Sequence, residues 1–268
     1  MSYWSAKDDG SVITQTIQIV PHGKTTLDVV YTNDPVKVNE ILRKYEGWLD
    51  EEKHRFVGLD LEYTLNQKRC AVLQLSMRNH VLVYHYVRYV SMLFINPVFP
   101  RPRMNTNFIS NTHCRRSQEY QCDLPSFLKN KKITFTSVDI SKDTTILNDE
   151  WLPIPHPYHL DLQKVFKIEG RKKAGMATLA ARLIDQSYAL MKDDFKGAED
   201  RDRRIGHDYW EYKPLSQMNL RYAAIDGWVS YELYHKLMVM QDLTKHLRPP
   251  PLLIFENRNS GAGEDDER

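Results

Sequence analysis

Three strand-like segments follow one another with short connections: FVGLDLEYT (56–64), CAVLQLSM (70–77) and HVLVYHYV (80–87). The first two are apolar on both faces, which is typical of strands covered by helices on each side of a sheet. Parallel pairing requires a crossover of a dozen or more residues, and these connections are too short for one. The segments therefore predict an antiparallel meander inside a helix-covered sheet.

The other periodic segments predict how this sheet is completed. Alternating residues within 11–32, on either side of Pro21-His22-Gly23, predict a β-hairpin that extends the sheet region. Further patterns predict helices at 35–51, 176–185 and about 214–240, and a strand at 133–140. We expect an α/β fold with a mixed central sheet of about five strands and helices on both sides.

The remaining sequence suggests three regions. Residues 88–122 have no sustained period and carry scattered prolines and asparagines, which is unusual inside a compact domain. We interpret them as an insert, with translated intron sequence as one explanation. The predicted organisation is an N-terminal extension (1–24), a domain (25–245) that contains the insert, and a mobile proline-rich, acidic tail (246–268).

Charge and apolar content exclude several classes of protein. The formal net charge of +2 excludes a strongly basic surface that clamps nucleic acid all round, although a local cationic groove remains compatible with it. Three cysteines without a paired short spacing argue against a disulfide framework and a structural zinc site. No apolar run approaches the roughly 18 residues of a membrane span. We expect a protein of the nucleus or cytoplasm without a membrane partner.

Two acidic residues interrupt the first strand of the meander. Asp60 and Glu62 are two positions apart, so their side chains project from the same face of a strand. Two carboxylates on a covered face repel each other unless a cation neutralises them, and Mg²⁺ and Mn²⁺ favour oxygen ligands. The pair alone is weak evidence, because an edge carboxylate that is solvated or caps a helix would give the same pattern.

Two further sites carry acidic residues. Tyr222 and Asp226 are four positions apart in YAAIDGWVSY, hence on one face of the late helix, and Asp226 needs compensation among apolar neighbours. Asp143 follows the 133–140 strand, where helix capping with Ser141 is the alternative to a role in binding.

The order of these motifs resembles the DnaQ-like DEDD exonuclease superfamily, in particular the tyrosine-type branch that contains RNase D and the Werner-syndrome exonuclease domain. The resemblance covers about residues 25–245 without the insert and is nearest to plant Werner-like exonucleases. It is carried by VGLDLEYT, VDISKD, and YAAIDGWVSYELY with its lead-in KPLSQMNLR; LDLQKVF and TLAARLI are also similar to family segments.

The resemblance implies an RNase H-like fold and a 3′→5′ exonuclease that uses two divalent cations, Mg²⁺ or Mn²⁺. Its substrates would be single strands or recessed 3′ ends of RNA or DNA, from which it releases nucleoside 5′-monophosphates. The resemblance also implies that Asp60, Glu62, Asp143 and Asp226 are the metal ligands and that Tyr222 either assists the general base or orients the attacking water. The cations, rather than a salt bridge, would then compensate Asp226. We expect the four carboxylates to converge.

One position departs from the family pattern. Asp139 stands where relatives commonly have Gly, and it competes with Asp143 for the ligand position. A catalytically degenerate member that binds nucleic acid or a protein partner without cleaving it is therefore the alternative function.

Residues for substrate binding are less sharply indicated. By analogy with the family, Leu61 and Tyr63 contact the terminal nucleotide. Lys131 and Lys132 are candidates for the phosphate backbone, with solvated surface as the alternative. The same applies to Lys129, Arg171, Lys172 and Lys173.

Three aromatic and histidine features are assigned structural roles. We expect Trp210 to pack near the last helix rather than to stack on substrate. His156 and His159 of HPYH are interpreted as part of a loop. His207 is not taken as a catalytic residue, because Tyr222 favours the tyrosine branch.

Overall fold

The computed structural model describes residues 11–23, 25–86, 122–168, 173–193, 195–196, 204–243 and 254–255. The predicted insert at 88–122 lies outside the described residues except for Cys122, and so does most of the predicted tail at 246–268. Arg171 and Lys172 also fall outside them.

A seven-stranded mixed sheet forms the centre of the fold, with the strands in the order β1-β2-β5-β4-β3-β6-β7. The strands are β1 Thr14–Ile19, β2 Leu27–Thr32, β3 Phe56–Tyr63, β4 Cys70–Met77, β5 His80–His85, β6 Thr134–Ser137 and β7 His159–Asp161. Two short strands, β8 Lys167–Ile168 and β9 Ile254–Phe255, pair in parallel as a second sheet.

Helices flank the sheet. They are α1 Pro35–Glu51, α2 Leu124–Leu128, α3 Ser141–Asp149, α4 Leu162–Val165, α5 Met176–Leu183 and α6 Gln217–Leu243. Two 3₁₀ helices span Gln186–Leu190 and His207–Tyr209. No helix among the described residues is long and apolar enough to cross a membrane.

The predicted α/β fold is confirmed, and so is the antiparallel meander β3-β4-β5. The strand count is seven rather than about five, because the predicted hairpin β1-β2 joins the same sheet through parallel pairing of β2 with β5. The other five strands, β5-β4-β3-β6-β7, correspond to the expected central sheet.

The interpretation of HPYH as loop was wrong for His159, which is the first residue of β7. Its imidazole lies 3.2 Å from Ser137 Oγ and 3.3 Å from Thr144 Oγ1. Burial lowers the pKa of His159 to about 4, so the ring is neutral at physiological pH. The strand is only three residues long and follows several prolines, so its sequence shows no alternating pattern.

Helix α6 crosses the central sheet and is covered on all sides, since residues 222–231 are all buried. Two glycines permit the close approach. A Cβ at Gly58 of β3 would lie 2.4 Å from the Tyr231 backbone nitrogen, and one at Gly227 would lie 2.8 Å from Gln74 Cβ. Because Gly58 is on the face of β3 that carries the next even-numbered residues, the contact brings α6 against the two acids of that strand.

Candidate active site

Three carboxylates from two elements meet where α6 crosses β3. One oxygen each from Asp60, Glu62 and Asp226 lies within 4.8 Å of the other two, and we call these residues the acidic triad. Asp60 and Glu62 alternate along β3, and Asp226 comes from the buried centre of α6. The triad lines a cavity of about 260 Å³. The sequence therefore identified three acids that are brought together.

The triad is electrostatically strained in the absence of a cation. Burial, and then the charges of Asp226 and Asp143, raise the pKa of Asp60 well above its ordinary value. Burial and the charges of Asp60 and Asp226 do the same to the pKa of Glu62. Like charges at this separation resist ionisation together. The arrangement thus calls for a compensating positive charge.

In the structure Lys192 supplies that charge. Its ammonium donates to Asp226 Oδ2 at 2.9 Å and to the Tyr222 hydroxyl at 2.8 Å. Burial acts to lower the pKa of Lys192, but the charge of Asp226 and the contact with Tyr222 raise it above its ordinary value. The expectation that no salt bridge compensates Asp226 was wrong. Lys192 follows a 3₁₀ helix in a segment without periodicity, so no pattern in the sequence indicated it.

Tyr222 lies one turn before Asp226 and lines the same cavity. Its ring is held by three other aromatic rings, with centroid distances of 4.2 Å to Phe195, 5.6 Å to His207 and 5.9 Å to Trp210. Trp210 is buried, which confirms its predicted packing role. The cluster leaves the Tyr222 hydroxyl pointed at Lys192 and fixes its position relative to the triad.

Asp143 lies in the first turn of α3 and is buried, but it is not part of the acidic triad. Its Oδ1 accepts a hydrogen bond from the Tyr63 hydroxyl. Burial raises the pKa of Asp143 to about 6, against the opposing effect of that bond. Three of the four predicted ligands therefore converge, and the fourth lies near enough for its charge to raise the pKa of Asp60.

The alternative capping role for Asp143 is not observed, since the N-cap residue of α3 is Ile140 and no side chain caps this helix. The Tyr63 hydroxyl bonds Asp143, and Lys142 Nζ lies 4.0 Å from the centroid of the Tyr63 ring. A phenol at this position thus orients a carboxylate. The expected contact of Tyr63 with the terminal nucleotide stays a prediction.

Asp139 has a backbone conformation that suits glycine, the residue that the family resemblance led us to expect there. Its φ is 64°, in the left-handed region that favours glycine and that Asp tolerates better than most residues. Its backbone N–H donates to Asp161 Oδ1 at 3.1 Å, and its side chain lies at the cavity, with Oδ1 3.8 Å from Lys173 Nζ. Asp139 therefore adds negative charge to the wall of the cavity, outside the triad.

The residues predicted to contact substrate lie at different distances from the cavity. Leu61 lines the cavity beside the triad. Lys131 and Lys132 lie in the turn before β6, and the first residue of β6 pairs with Phe56 at the start of β3. Asp60 and Glu62 lie in the second half of β3. The two lysines are therefore at the far end of the strand and do not line the cavity. Sequence reasoning also missed residues that do line it, namely Gln163, Gly175 and Met176.

Comparison with known proteins gives a consistent family and fold. The sequence model of a 3′–5′ exonuclease family matches residues 49–242, which include the triad, Asp143 and Tyr222. A 3′–5′ exonuclease of Arabidopsis thaliana is 37% identical over 76 residues, covering 28% of this chain and 23% of that protein.

Among the solved structures that share the fold are two RNase D proteins. RNase D of Escherichia coli, described as an exoribonuclease involved in structured RNA processing, has a TM-score of 0.50 and 16% identity, over 81% of this chain and 46% of its own. RNase D of Trypanosoma brucei, solved with GMP, has a TM-score of 0.50 and 16% identity, over 84% of this chain and 66% of its own. The chain thus spans less than two thirds of each of these relatives.

Proposed function

The chain belongs to the 3′–5′ exonuclease family, and on that premise we propose that it hydrolyses phosphodiester bonds at the 3′ end of a nucleic acid strand, releasing nucleoside 5′-monophosphates. The observation that carries the proposal is the convergence of Asp60, Glu62 and Asp226 within 4.8 Å at a cavity. A buried group of acids on the matched segment has no evident role in packing, since it carries like charges that oppose each other.

The donor set fits divalent cations of the Mg²⁺ and Mn²⁺ type. Such hard cations take carboxylate oxygens, and the triad offers only oxygen donors. The excess negative charge that raises the pKa of Asp60 and Glu62 is the charge that a dication would neutralise. We assign the triad as the principal ligands and Asp143 as the acid that supports a second ion.

Bound cations would activate the attacking water and stabilise the leaving 3′-oxygen. The chain's own residues hold the reacting groups in place around them. Burial and the charge of Asp226 raise the pKa of Tyr222 above its ordinary value, so its phenol stays protonated and orients water through its hydroxyl rather than acting as a base. Leu61, at the wall of the cavity, offers an apolar surface for the terminal nucleotide.

The substrate class is a nucleic acid strand with a free 3′ end, of RNA or DNA. The test uses 5′-labelled single strands of each, incubated with Mn²⁺ and sampled over time. We expect a ladder of successively shorter strands, with nucleoside 5′-monophosphates as the small products. Strands that are bound but stay full-length would favour the degenerate alternative, and internal cuts would contradict exonuclease action.

The buried acids also predict how cation binding depends on pH. Burial raises the folded-state pKa of Asp143 to about 6, against about 4 in an unfolded chain. Burial and the neighbouring carboxylates also raise the folded-state pKa values of Asp60 and Glu62 well above their ordinary values. Their protonated forms stabilise the metal-free fold at low pH, and this contribution is lost as pH rises through the folded pKa values.

A cation requires the ionised carboxylates, so its stabilising effect should grow over the same range. We expect saturating Mg²⁺ to raise the melting temperature more at pH 8 than at pH 6, as measured by thermal unfolding against an EDTA sample at each pH. Groups that do not bind the cation affect the Mg²⁺ and EDTA samples equally at each pH, so their contribution cancels when the two melting temperatures are subtracted. An equal or larger shift at pH 6 would contradict the assigned ligands.

A further inference from the structure

Among the residues that the structure describes, Lys192 is the cationic side chain that contacts the acidic triad directly. Its ammonium bonds one oxygen of Asp226, a triad residue, and the hydroxyl of Tyr222, over whose ring it lies 4.9 Å from the centroid. Its charge also acts on the other two acids, since it lowers the pKa of both Asp60 and Glu62 against their burial. Lys192 thus balances part of the charge that a metal ion would balance.

The ammonium and a dication would compete for the same region. The Asp226 carboxylate that Lys192 bonds at 2.9 Å is also one of the three groups within 4.8 Å of each other. A dication held by these groups would lie within a few ångströms of the ammonium, where like charges repel strongly in a partly buried site. Asp226 therefore cannot bind the Lys192 ammonium and a dication tightly at the same time.

The side chain of Lys192 can move away. It is 32% exposed, whereas the Asp226 side chain is 5% exposed and fixed in the middle of a long helix. A lysine has a flexible stem and a compact, strongly hydrated head that reaches solvent readily. Displacement therefore requires rotation of one side chain and no movement of α6 or β3.

From these contacts we propose that Lys192 is an internal counterion: it holds Asp226 and Tyr222 in the metal-free protein, and a divalent cation must displace its ammonium from Asp226 to bind the triad. The proposal rests on the cation site of the proposed function. It implies that the lysine lowers the affinity of the site for metal while it stabilises the metal-free fold. If Lys192 had only a structural role, its replacement would disorder the ligands and weaken metal binding. The counterion role predicts tighter binding instead.

The test is a calorimetric titration of Mn²⁺ into the whole chain at pH 7.5, combined with thermal unfolding in EDTA. The variants are Lys192→Met, which keeps most of the unbranched side chain without its charge, and Lys192→Gln, which keeps a hydrogen-bonding group. Lys236→Met is the matched control, since Lys236 pairs with Glu232 on the same helix as Asp226, away from the triad.

We expect both Lys192 variants to bind Mn²⁺ about tenfold more tightly than the unsubstituted protein, a coupling of ordinary size between two sites. They should also melt at a lower temperature in EDTA, and Lys236→Met should change neither property. Unchanged or weaker Mn²⁺ binding by a folded Lys192 variant would overturn the counterion role alone. Absence of Mn²⁺ binding by the unsubstituted protein would overturn the proposed function together with it.

Discussion

Replacing Asp60 with Asn is expected to reduce the rate of 3′-end shortening by about a thousandfold or more, because it removes the central carboxylate of the proposed cation site. The same change should raise the melting temperature of the metal-free protein. Burial, and then the charges of Asp226 and Asp143, raise the pKa of Asp60, so a neutral amide of the same shape avoids the cost of a carboxylate in that position. Loss of activity with gain of stability is a pattern that general damage to the fold does not produce.

Single-turnover degradation of a labelled strand with Mn²⁺ and thermal unfolding in EDTA measure the two effects. Asp149→Asn is the control, since Asp149 is exposed at the end of α3 and should tolerate the change in both assays. An Asp60→Asn protein that retains more than about a tenth of the rate would remove Asp60 from the catalytic site. A lower melting temperature in EDTA would contradict the repulsion within the triad.

The second large effect is expected from Gly58→Ala, which should lower the free energy of unfolding by about 3 kcal/mol. The added Cβ would lie 2.4 Å from the Tyr231 nitrogen and 2.8 Å from the Gly227 carbonyl oxygen, both of them backbone atoms of α6. Backbone inside a covered helix cannot give way as a side chain can, so the helix must move from the sheet. That movement separates Asp226 from Asp60 and Glu62, and activity should fall as well.

Gly47→Ala is the matched control for this substitution. Gly47 lies inside α1, and a Cβ there meets nothing within 4 Å, so the change should stabilise the protein by up to about 1 kcal/mol through helix propensity. Urea unfolding of both variants gives the comparison. If Gly58→Ala unfolded at the same urea concentration as the unsubstituted protein, α6 would not depend on that close contact.

Periodic features of the sequence predicted much of the fold. The short connections between the apolar segments predicted the meander. Asn33 or Asp34, followed by Pro35, indicated the start of α1. In the structure the cap is Asp34, whose side chain accepts a hydrogen bond from the Val36 N–H at 2.9 Å. The alternation of Asp60 and Glu62 fixed their common face. These are local properties, and they do not depend on which elements meet in three dimensions.

Contacts between distant segments could not be read in this way. Lys192 compensates Asp226 from a segment without periodicity, and the Tyr63 hydroxyl reaches Asp143 eighty positions later. In the sequence Gly58 is only a residue with a low propensity for strands, whereas in the structure its missing side chain allows α6 to pack against β3. In each case the role of the residue depends on a contact with a distant segment. That contact forms only when the sheet and the helix are assembled.

Binding of a divalent cation by the acidic triad is the claim on which the proposed function most depends. Its most direct test is an anomalous difference map from a crystal of the protein soaked in Mn²⁺. The expected result is a peak within about 2.0–2.4 Å of carboxylate oxygens from Asp60, Glu62 and Asp226, with the Lys192 ammonium no longer on Asp226. A map from a crystal in saturating Mn²⁺ that shows no peak among these three residues, with the Lys192 contact intact, would contradict it.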